Sequence, residues 1–163
     1  MSSRLFVRLR EREGLVYSIS TSSTNYEEGG VFFTITSFDK EKYEQAVASL
    51  LNEYKKLQTT LVPEKELHRW KNFVRSGMIM DVENTMDVAD YYAREMLFYR
   101  KNMTSFPKLL EKFMKPTAED VMRVAQKMLD WRQMKLVVIG DYSINGQKMV
   151  QNIMRIIKET YAK

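Results

Sequence analysis

The first forty residues change their hydrophobic period twice, and each change predicts a new element. Apolar residues in 3–13 fall at helical spacing among arginines, and Gly14 then offers the residue after a helix end that tolerates positive φ. From residue 15 to about 23 apolar and polar positions alternate strictly, which is typical of a strand with one polar face. A turn over 25–30 and a second strand over 31–37 complete a predicted β-hairpin.

The rest of the chain is dominated by stripes of period 3.6, which predict amphipathic helices. Asp39 is a plausible N-cap for the first of them. The stripes predict helices within residues 39–61, 63–78, 88–99, 105–113 and 117–129, and a last helix around 150–157. Most of the 12 methionines fall on these stripes and are interpreted as core residues.

Between the last two helices, residues 135–140 are apolar on both faces, so we expect a strand in the centre of a sheet, followed by a loop over 141–146. The predicted order is α-β-β-α-α-α-α-α-β-α. It indicates an α+β fold with a mostly antiparallel sheet covered by helices on one side. No linker divides residues 1–163, so a single domain is expected. Because the chain opens in a helix with no strand before it, we expect an N-terminally truncated, partial domain that lacks its opening strands.

Composition narrows the chemistry that this chain can perform. Its 163 residues are 44% hydrophobic and 29% charged, which is typical of a folded domain. It has no cysteine, which excludes disulfides and a Cys nucleophile, and one histidine, His68. A metal site on a helix would need a second ligand three or four residues later, where Lys71 and Asn72 stand. We therefore predict that no metal binds to this chain and that His68 lies on a helix surface.

The net charge of +5 permits acidic partners without requiring them. A basic nucleic-acid-binding module is one hypothesis, but Phe32 and Phe33 are predicted on opposite faces of their strand and form no stacking platform, so we expect no nucleic acid partner. The sequence contains neither an apolar run of about 18 residues nor a secretory signal. This predicts no membrane span and an intracellular location, cytoplasmic or organellar.

Candidate chemistry is concentrated between Arg10 and Tyr17. Arg10 falls on the last turn of the first helix and Tyr17 near the start of the first strand, so both side chains can face one cleft at the end of the sheet. A guanidinium and a phenol hydroxyl can donate hydrogen bonds to a carbonyl, a carboxylate or a developing oxyanion. The alternative is structural: the residues at 10–13 form a solvated helix end, and Tyr17 packs on the sheet.

Sequence motifs along nearly the whole chain resemble one peptidase family. The N-terminal Met-Ser-Ser-Arg-Leu-Phe, then Arg10-Glu11-x-x-Gly14-Leu15-x-Tyr17, resemble the second half of the pitrilysin/insulysin (inverzincin) zinc metallopeptidases. That family includes the mitochondrial processing peptidase and the core proteins of respiratory complex III. Further agreement comes in the expected order, in the turn over 26–30, in Val62-Pro63-x-x-Glu66-Leu67, in residues 94–99, in residues 117–121 and in residues 137–140.

The resemblance implies a C-terminal domain that acts on peptides together with a zinc site located elsewhere. In such enzymes the first half carries an inverted His-x-x-Glu-His zinc site, which this chain lacks, so zinc belongs to the assembled enzyme and the chain alone is expected to be inactive. The second half contributes an arginine and a tyrosine that position the substrate and stabilise the tetrahedral intermediate. They match Arg10 and Tyr17, with Glu11 and Arg12 as weaker candidates.

Two functions and a set of partners follow from the resemblance. One function is the substrate-positioning half of a zinc metalloendopeptidase, and the other is a non-catalytic scaffold subunit of the same fold, like the complex III core proteins. The partners implied are a peptide substrate and a zinc-bearing N-terminal half or partner subunit. Self-association is the other expectation, because an unfilled sheet edge promotes pairing between chains.

Overall fold

The structure is a computed structural model that describes residues 3–100, 102–140 and 146–161. A π-helix over Phe6–Arg12 leads into two strands, β1 (Ser18–Tyr26) and β2 (Gly29–Ser37), and a short 3-10 helix over Lys40–Lys42. Six α-helices follow: α1 (Tyr43–Thr59), α2 (Glu64–Asp81), α3 (Thr85–Tyr99), α4 (Phe106–Met114), α5 (Ala118–Met128) and α6 (Gly146–Tyr161). In the part of the chain that the structure describes, no helix is long and apolar enough to cross a membrane.

The predicted α+β class and β-hairpin are confirmed. β1 and β2 pair antiparallel in a register that places Thr21 opposite Thr34 and Ser23 opposite Phe32. These residues share one face of the hairpin, where the Tyr54 ring of α1 lies 6.1 Å from the Phe32 ring. Phe33 points to the opposite face, as alternation requires. Helix packing on one side of the hairpin therefore agrees with the prediction.

The first helix differs in type from the α-helix that its spacing predicts. Phe6–Arg12 is wound as a π-helix, in which the N–H of Glu13 donates to the carbonyl oxygen of Arg8 at 3.1 Å, five residues back. The helix ends as predicted, because Gly14 has a φ of +60°. The N–H of Leu15 then donates to the carbonyl of Leu9 at 2.9 Å, a closing bond common where a left-handed residue ends a helix.

The predicted central strand over 135–140 is wrong. The described sheet consists of β1 and β2, and residues 134–139 have no regular secondary structure. Val138 packs partly against α1 and α6, whereas Val137 is 82% and Ile139 92% exposed. Apolar residues on both faces predict a strand that is covered on both sides, but among the described residues no strand pairs with this segment. Of the predicted loop at 141–146, residues 141–145 lie outside the described residues.

The chain divides into two compact units, and the larger one contains the core. This first unit comprises the described residues of Met1–Thr60 and Arg123–Lys163, so the division falls within α5. One cluster joins the N-terminal segment to α1: Leu5, Leu9, Leu15, Val16, Ala46 and Tyr54. A second cluster lies between α1 and α6: Val47, Leu51, Met149, Ile153, Ile156 and Ile157. Leu9 and Ile153 are fully buried, so these two clusters provide the hydrophobic core of the unit.

The second unit, Leu61–Met122, consists of α2, α3, α4 and the start of α5. None of the residues in α2, α3 or α4 is buried, and within this unit Val62 is the one buried apolar residue among those described. The interpretation of the methionines as core residues is wrong here, since Met80, Met86 and Met96 are all more than half exposed. The single-domain assignment for residues 1–163 stays a prediction.

Candidate functional site

Arg10 lies on the last turn of the π-helix with its side chain exposed. Its guanidinium carbon is 5.0 Å from the centre of the Phe6 ring, a cation–π contact one helical turn back. Such contacts orient a guanidinium without using its N–H donors. Arg10 therefore presents an oriented positive charge at the surface. Glu11 and Arg12, the weaker candidates, are exposed on the same turn.

Tyr17 follows the left-handed Gly14 by three residues and lies just before β1. Its backbone N–H donates to the carbonyl of Ser37 at 2.8 Å, which fixes the main chain at this point. Its side chain is 64% exposed rather than packed on the sheet. The phenol hydroxyl donates to the Oδ1 atom of Asp39 at 2.7 Å. That hydrogen bond, followed by the negative charge of Asp39, raises the pKa of Tyr17 above its usual value.

Asp39 belongs to the site although its sequence position indicates a helix cap. It stands at the N-cap of the 3-10 helix, but its side chain makes no capping hydrogen bond. Its other oxygen, Oδ2, lies 3.9 Å from the ammonium of Lys42, which also donates to the Gly14 carbonyl at 3.0 Å. Asp39 thus occupies the predicted N-cap position, but its side chain does not cap the helix. The carboxylate instead connects the segment around Gly14 and Tyr17 to the segment after β2.

The structure places Arg10 and Tyr17 on either side of Gly14 but does not join them. No hydrogen bond links their side chains in the described chain, and each side chain is exposed with its own neighbour, Phe6 or Asp39. The sequence analysis missed Asp39, since an Asp before a helix is ordinarily interpreted as a cap. The pairing with Tyr17 spans 22 residues and depends on the hairpin closing, which no local pattern reveals.

A separate open cleft of about 650 Å³ lies beside the π-helix, and neither Arg10 nor Tyr17 lines it. Its charged groups are paired: Arg8 and Glu13 are 2.7 Å apart, and the Ser49 hydroxyl donates to Glu13 at 2.5 Å. Glu53, the buried carboxylate of the first unit, lies 2.6 Å from the Lys56 ammonium and 3.7 Å from Arg4. These contacts connect the π-helix to α1, so we interpret the cleft as a structural junction.

The residues that the structure describes do not fit a zinc site. His68 lies exposed on α2, as predicted, with its Nδ1 atom 3.2 Å from the side-chain nitrogen of Asn72. Within the described ranges, no three His, Cys, Asp or Glu side chains are grouped so that they could bind a metal ion. Zinc therefore enters none of the chemistry assigned to the residues of this chain.

Comparisons with known proteins agree with the motifs. Residues 1–74 match the family described as "Peptidase M16 inactive domain". An uncharacterized zinc protease of Rickettsia bellii is 27% identical over 146 residues, which is 90% of this chain and 35% of that protein. A second, of Rickettsia felis, is 31% identical over 134 residues, 78% of this chain and 31% of that protein. The chain thus spans about a third of the length of these relatives.

The chain is also similar to a mitochondrial protein in sequence and to a solved structure in fold. The mitochondrial-processing peptidase subunit alpha of Caenorhabditis elegans is 28% identical over 143 residues, 86% of this chain and 27% of that subunit. A chain of complex III2 from Candida albicans, solved with Inz-5 bound, shares the fold with a TM-score of 0.65 over 78% of this chain and 30% of its own length, at 20% identity. Together with the motifs around Gly14, these matches show that the chain belongs to the M16 family of zinc metallopeptidases, the pitrilysin/insulysin family, as a C-terminal domain.

Proposed function

We propose that this chain is the substrate-positioning part of a zinc metalloendopeptidase that acts on peptides. The observation that supports this function most is the pair of exposed, individually oriented polar side chains on either side of Gly14. Arg10 offers a fixed positive charge and Tyr17 a hydroxyl held by Asp39. These are the groups and the seven-residue separation that the family resemblance assigns to substrate positioning.

The two side chains suit the chemistry of peptide-bond cleavage. When a peptide carbonyl is attacked, negative charge develops on its oxygen, and donors already aimed at that oxygen lower the barrier. The Arg10 guanidinium has five N–H donors and carries its charge at any relevant pH. Its contact with the Phe6 ring does not use those donors. In this proposal Arg10 and Tyr17 both position the peptide and both donate to the oxygen as its negative charge develops.

In this proposal the attacking water belongs to a metal site for which the described residues offer no set of ligands. We infer that a zinc-bearing N-terminal half or partner subunit supplies it, because the residues here do not fit a metal site. The names of the relatives support this inference, since they are zinc proteases and a processing-peptidase subunit about three times as long as the matched region. An intracellular or organellar compartment is consistent with those names and belongs to the same proposal.

The test is hydrolysis of a fluorogenic peptide by the native, zinc-containing enzyme with substitutions in this chain. Tyr17→Phe and Arg10→Ala are each expected to lower kcat about 100-fold, the usual effect of losing one oxyanion donor, with zinc content unchanged. Tyr26→Phe and Arg94→Ala serve as controls, because both side chains are exposed, Tyr26 at the far end of β1 from Tyr17 and Arg94 in α3 of the second unit. Unchanged hydrolysis in Tyr17→Phe and Arg10→Ala would refute the proposal.

A scaffold role is the second candidate. It is favoured by the description of the matched family as an inactive domain and by the fold shared with a chain of complex III2. In a scaffold, the same two substitutions leave any peptide hydrolysis by the native complex unaffected. The retained Arg10 and Tyr17 favour the peptidase role.

A further inference from the structure

The Tyr17–Asp39 hydrogen bond takes the place of the capping hydrogen bond that an Asp in this position usually makes. An Asp at an N-cap position usually accepts a hydrogen bond from a backbone N–H of the first helical turn, which stabilises the helix. Asp39 makes no such bond. Its Oδ1 atom instead accepts from Tyr17, 22 residues earlier in the chain, at 2.7 Å.

The same contact determines what the Tyr17 hydroxyl can do. A phenol has one O–H proton, so a hydroxyl that donates to Asp39 offers its oxygen to other groups as an acceptor only. Because the ionised carboxylate is a strong acceptor, the proton is not readily given to a peptide carbonyl. Lys42 lies 3.9 Å from the other carboxylate oxygen and is also bound to the Gly14 carbonyl, so the carboxylate is itself held in place.

We propose that Asp39 is a positioning residue that fixes both the place of the Tyr17 ring and the direction in which its hydroxyl donates. This inference rests on the proposed function. In the state described here Tyr17 meets a peptide as an acceptor, for example for a backbone N–H. It donates to the developing oxyanion only after its O–H turns away from Asp39, so Asp39 restrains the donor until that oxygen becomes a competitive acceptor.

The first experiment follows the ionisation of Tyr17 in the chain itself. Tyrosine labelled with ¹³C at Cζ gives one signal for each of the nine tyrosines, and the Tyr17 signal is assigned by its loss in Tyr17→Phe. We expect the midpoint of Tyr17 to fall to the range of an ordinary exposed tyrosine in Asp39→Ala. Asp81→Ala removes one negative charge from the end of α2 and is expected to leave the midpoint where it is. An unchanged Tyr17 midpoint in Asp39→Ala overturns the proposal.

The second experiment compares two substitutions of Asp39 in the native enzyme. Asp39→Asn keeps an oxygen acceptor of the same shape but weakens the bond, since charge-assisted hydrogen bonds are roughly twice as strong as neutral ones. Tyr17 then stays in place and releases its proton more readily, so kcat is expected to rise about two- to fivefold. Asp39→Ala loses the position as well, and kcat is expected to fall about tenfold with little change in KM. An equal loss in both variants would mean a structural role and overturn the proposal.

The outcomes separate this inference from the proposed function. If Tyr17→Phe does not affect hydrolysis, the proposed function fails, while the ¹³C titration still decides whether Asp39 controls the hydroxyl. If Tyr17→Phe lowers kcat but the titration of Tyr17 is the same in Asp39→Ala, the proposed function stands and the role of Asp39 is refuted.

Discussion

Helices of similar length are buried in the first unit and exposed in the second. In the first unit α1 buries five of its residues, among them Leu51 at 2% exposure, and α6 buries four. In the second unit α2 is one residue longer than α1 and buries none, although its apolar residues recur at helical spacing. Phe73 of α2 and Leu97 of α3 are each at least three-quarters exposed.

This difference shows that an amphipathic stripe predicts a helix but not its burial. A stripe becomes core when another element of the same unit covers it, as α6 covers α1 through Val47 and Ile153. The helices of the second unit rely more on local interactions. The Asn84 side chain caps α3 by accepting from the N–H of Met86 at 3.0 Å, and Thr117 and Asp120 form a capping box before α5.

The sharpest test of this contrast is truncation of one apolar residue in each unit. Ile153→Ala removes a fully buried side chain between α6 and α1 and is expected to lower the free energy of unfolding by about 2–5 kcal/mol. Leu97→Ala removes a 75% exposed side chain and is expected to change it by less than about 0.5 kcal/mol. Urea unfolding monitored by circular dichroism measures both, and equal losses would contradict the contrast.

Breaking one ion pair in each unit tests the same contrast, with a smaller expected loss of stability. The Glu53 carboxylate in the first unit is 7% exposed and lies near Lys56 and Arg4, so Glu53→Gln is expected to cost about 1–3 kcal/mol of unfolding free energy. Asp90 in the second unit pairs with Arg94 at 2.5 Å, but both side chains are more than half exposed. Asp90→Asn is therefore expected to cost under about 0.5 kcal/mol in the same urea titration. A larger cost for Asp90→Asn would show that the second unit has interactions that exposure does not reveal.

The smallest expected effect is a change in how the free energy of unfolding depends on alkaline pH. Burial raises the pKa of Tyr54 above 10.0, partly offset by hydrogen bonds from Thr34 and Thr21. Above pH 10 the unfolded chain therefore loses this proton before the folded chain does, and the free energy of unfolding falls as the pH rises. Tyr54→Phe should cost about 0.5–1.5 kcal/mol at pH 7 and make the alkaline decline less steep.

The matched control for this pH dependence is Tyr91→Phe in the second unit. Burial also raises the pKa of Tyr91, with Glu95 adding to the shift, but the residue is less buried than Tyr54. We expect a smaller change in slope, measured by urea unfolding at pH 8 to 11. If both variants leave the slope unchanged, the burial of these phenols contributes nothing to alkaline unfolding.

The sequence predicts the local elements well and the sheet poorly. The hairpin, the break at Pro63 and the left-handed Gly14 follow from short-range patterns, and the structure contains all three. The prediction of a strand over 135–140 rests on apolar composition alone. A strand exists through hydrogen bonds to neighbours far away in sequence, and the described chain provides none there.

The candidate site is likewise predicted in part. The residues Arg10 and Tyr17 come from a motif, and their role in substrate positioning stays a prediction. The π-helical winding before Gly14 and the Tyr17–Asp39 bond were not foreseen. A π-helix has the same side-chain periodicity, within one residue, as a short α-helix, so seven residues are too few to distinguish them.

The hairpin gives the molecule an uneven distribution of charge. The eighteen residues of β1 and β2 include no Asp, Glu, Lys or Arg, so the net charge of +5 is carried entirely by the rest of the chain. Repulsion between copies therefore originates away from the strands, and added salt screens it over a Debye length of about 8 Å at physiological ionic strength. The uncharged strand edges do not respond to salt in this way. Added salt is therefore expected to weaken the repulsion between copies without changing any charge on the strands, which carry none.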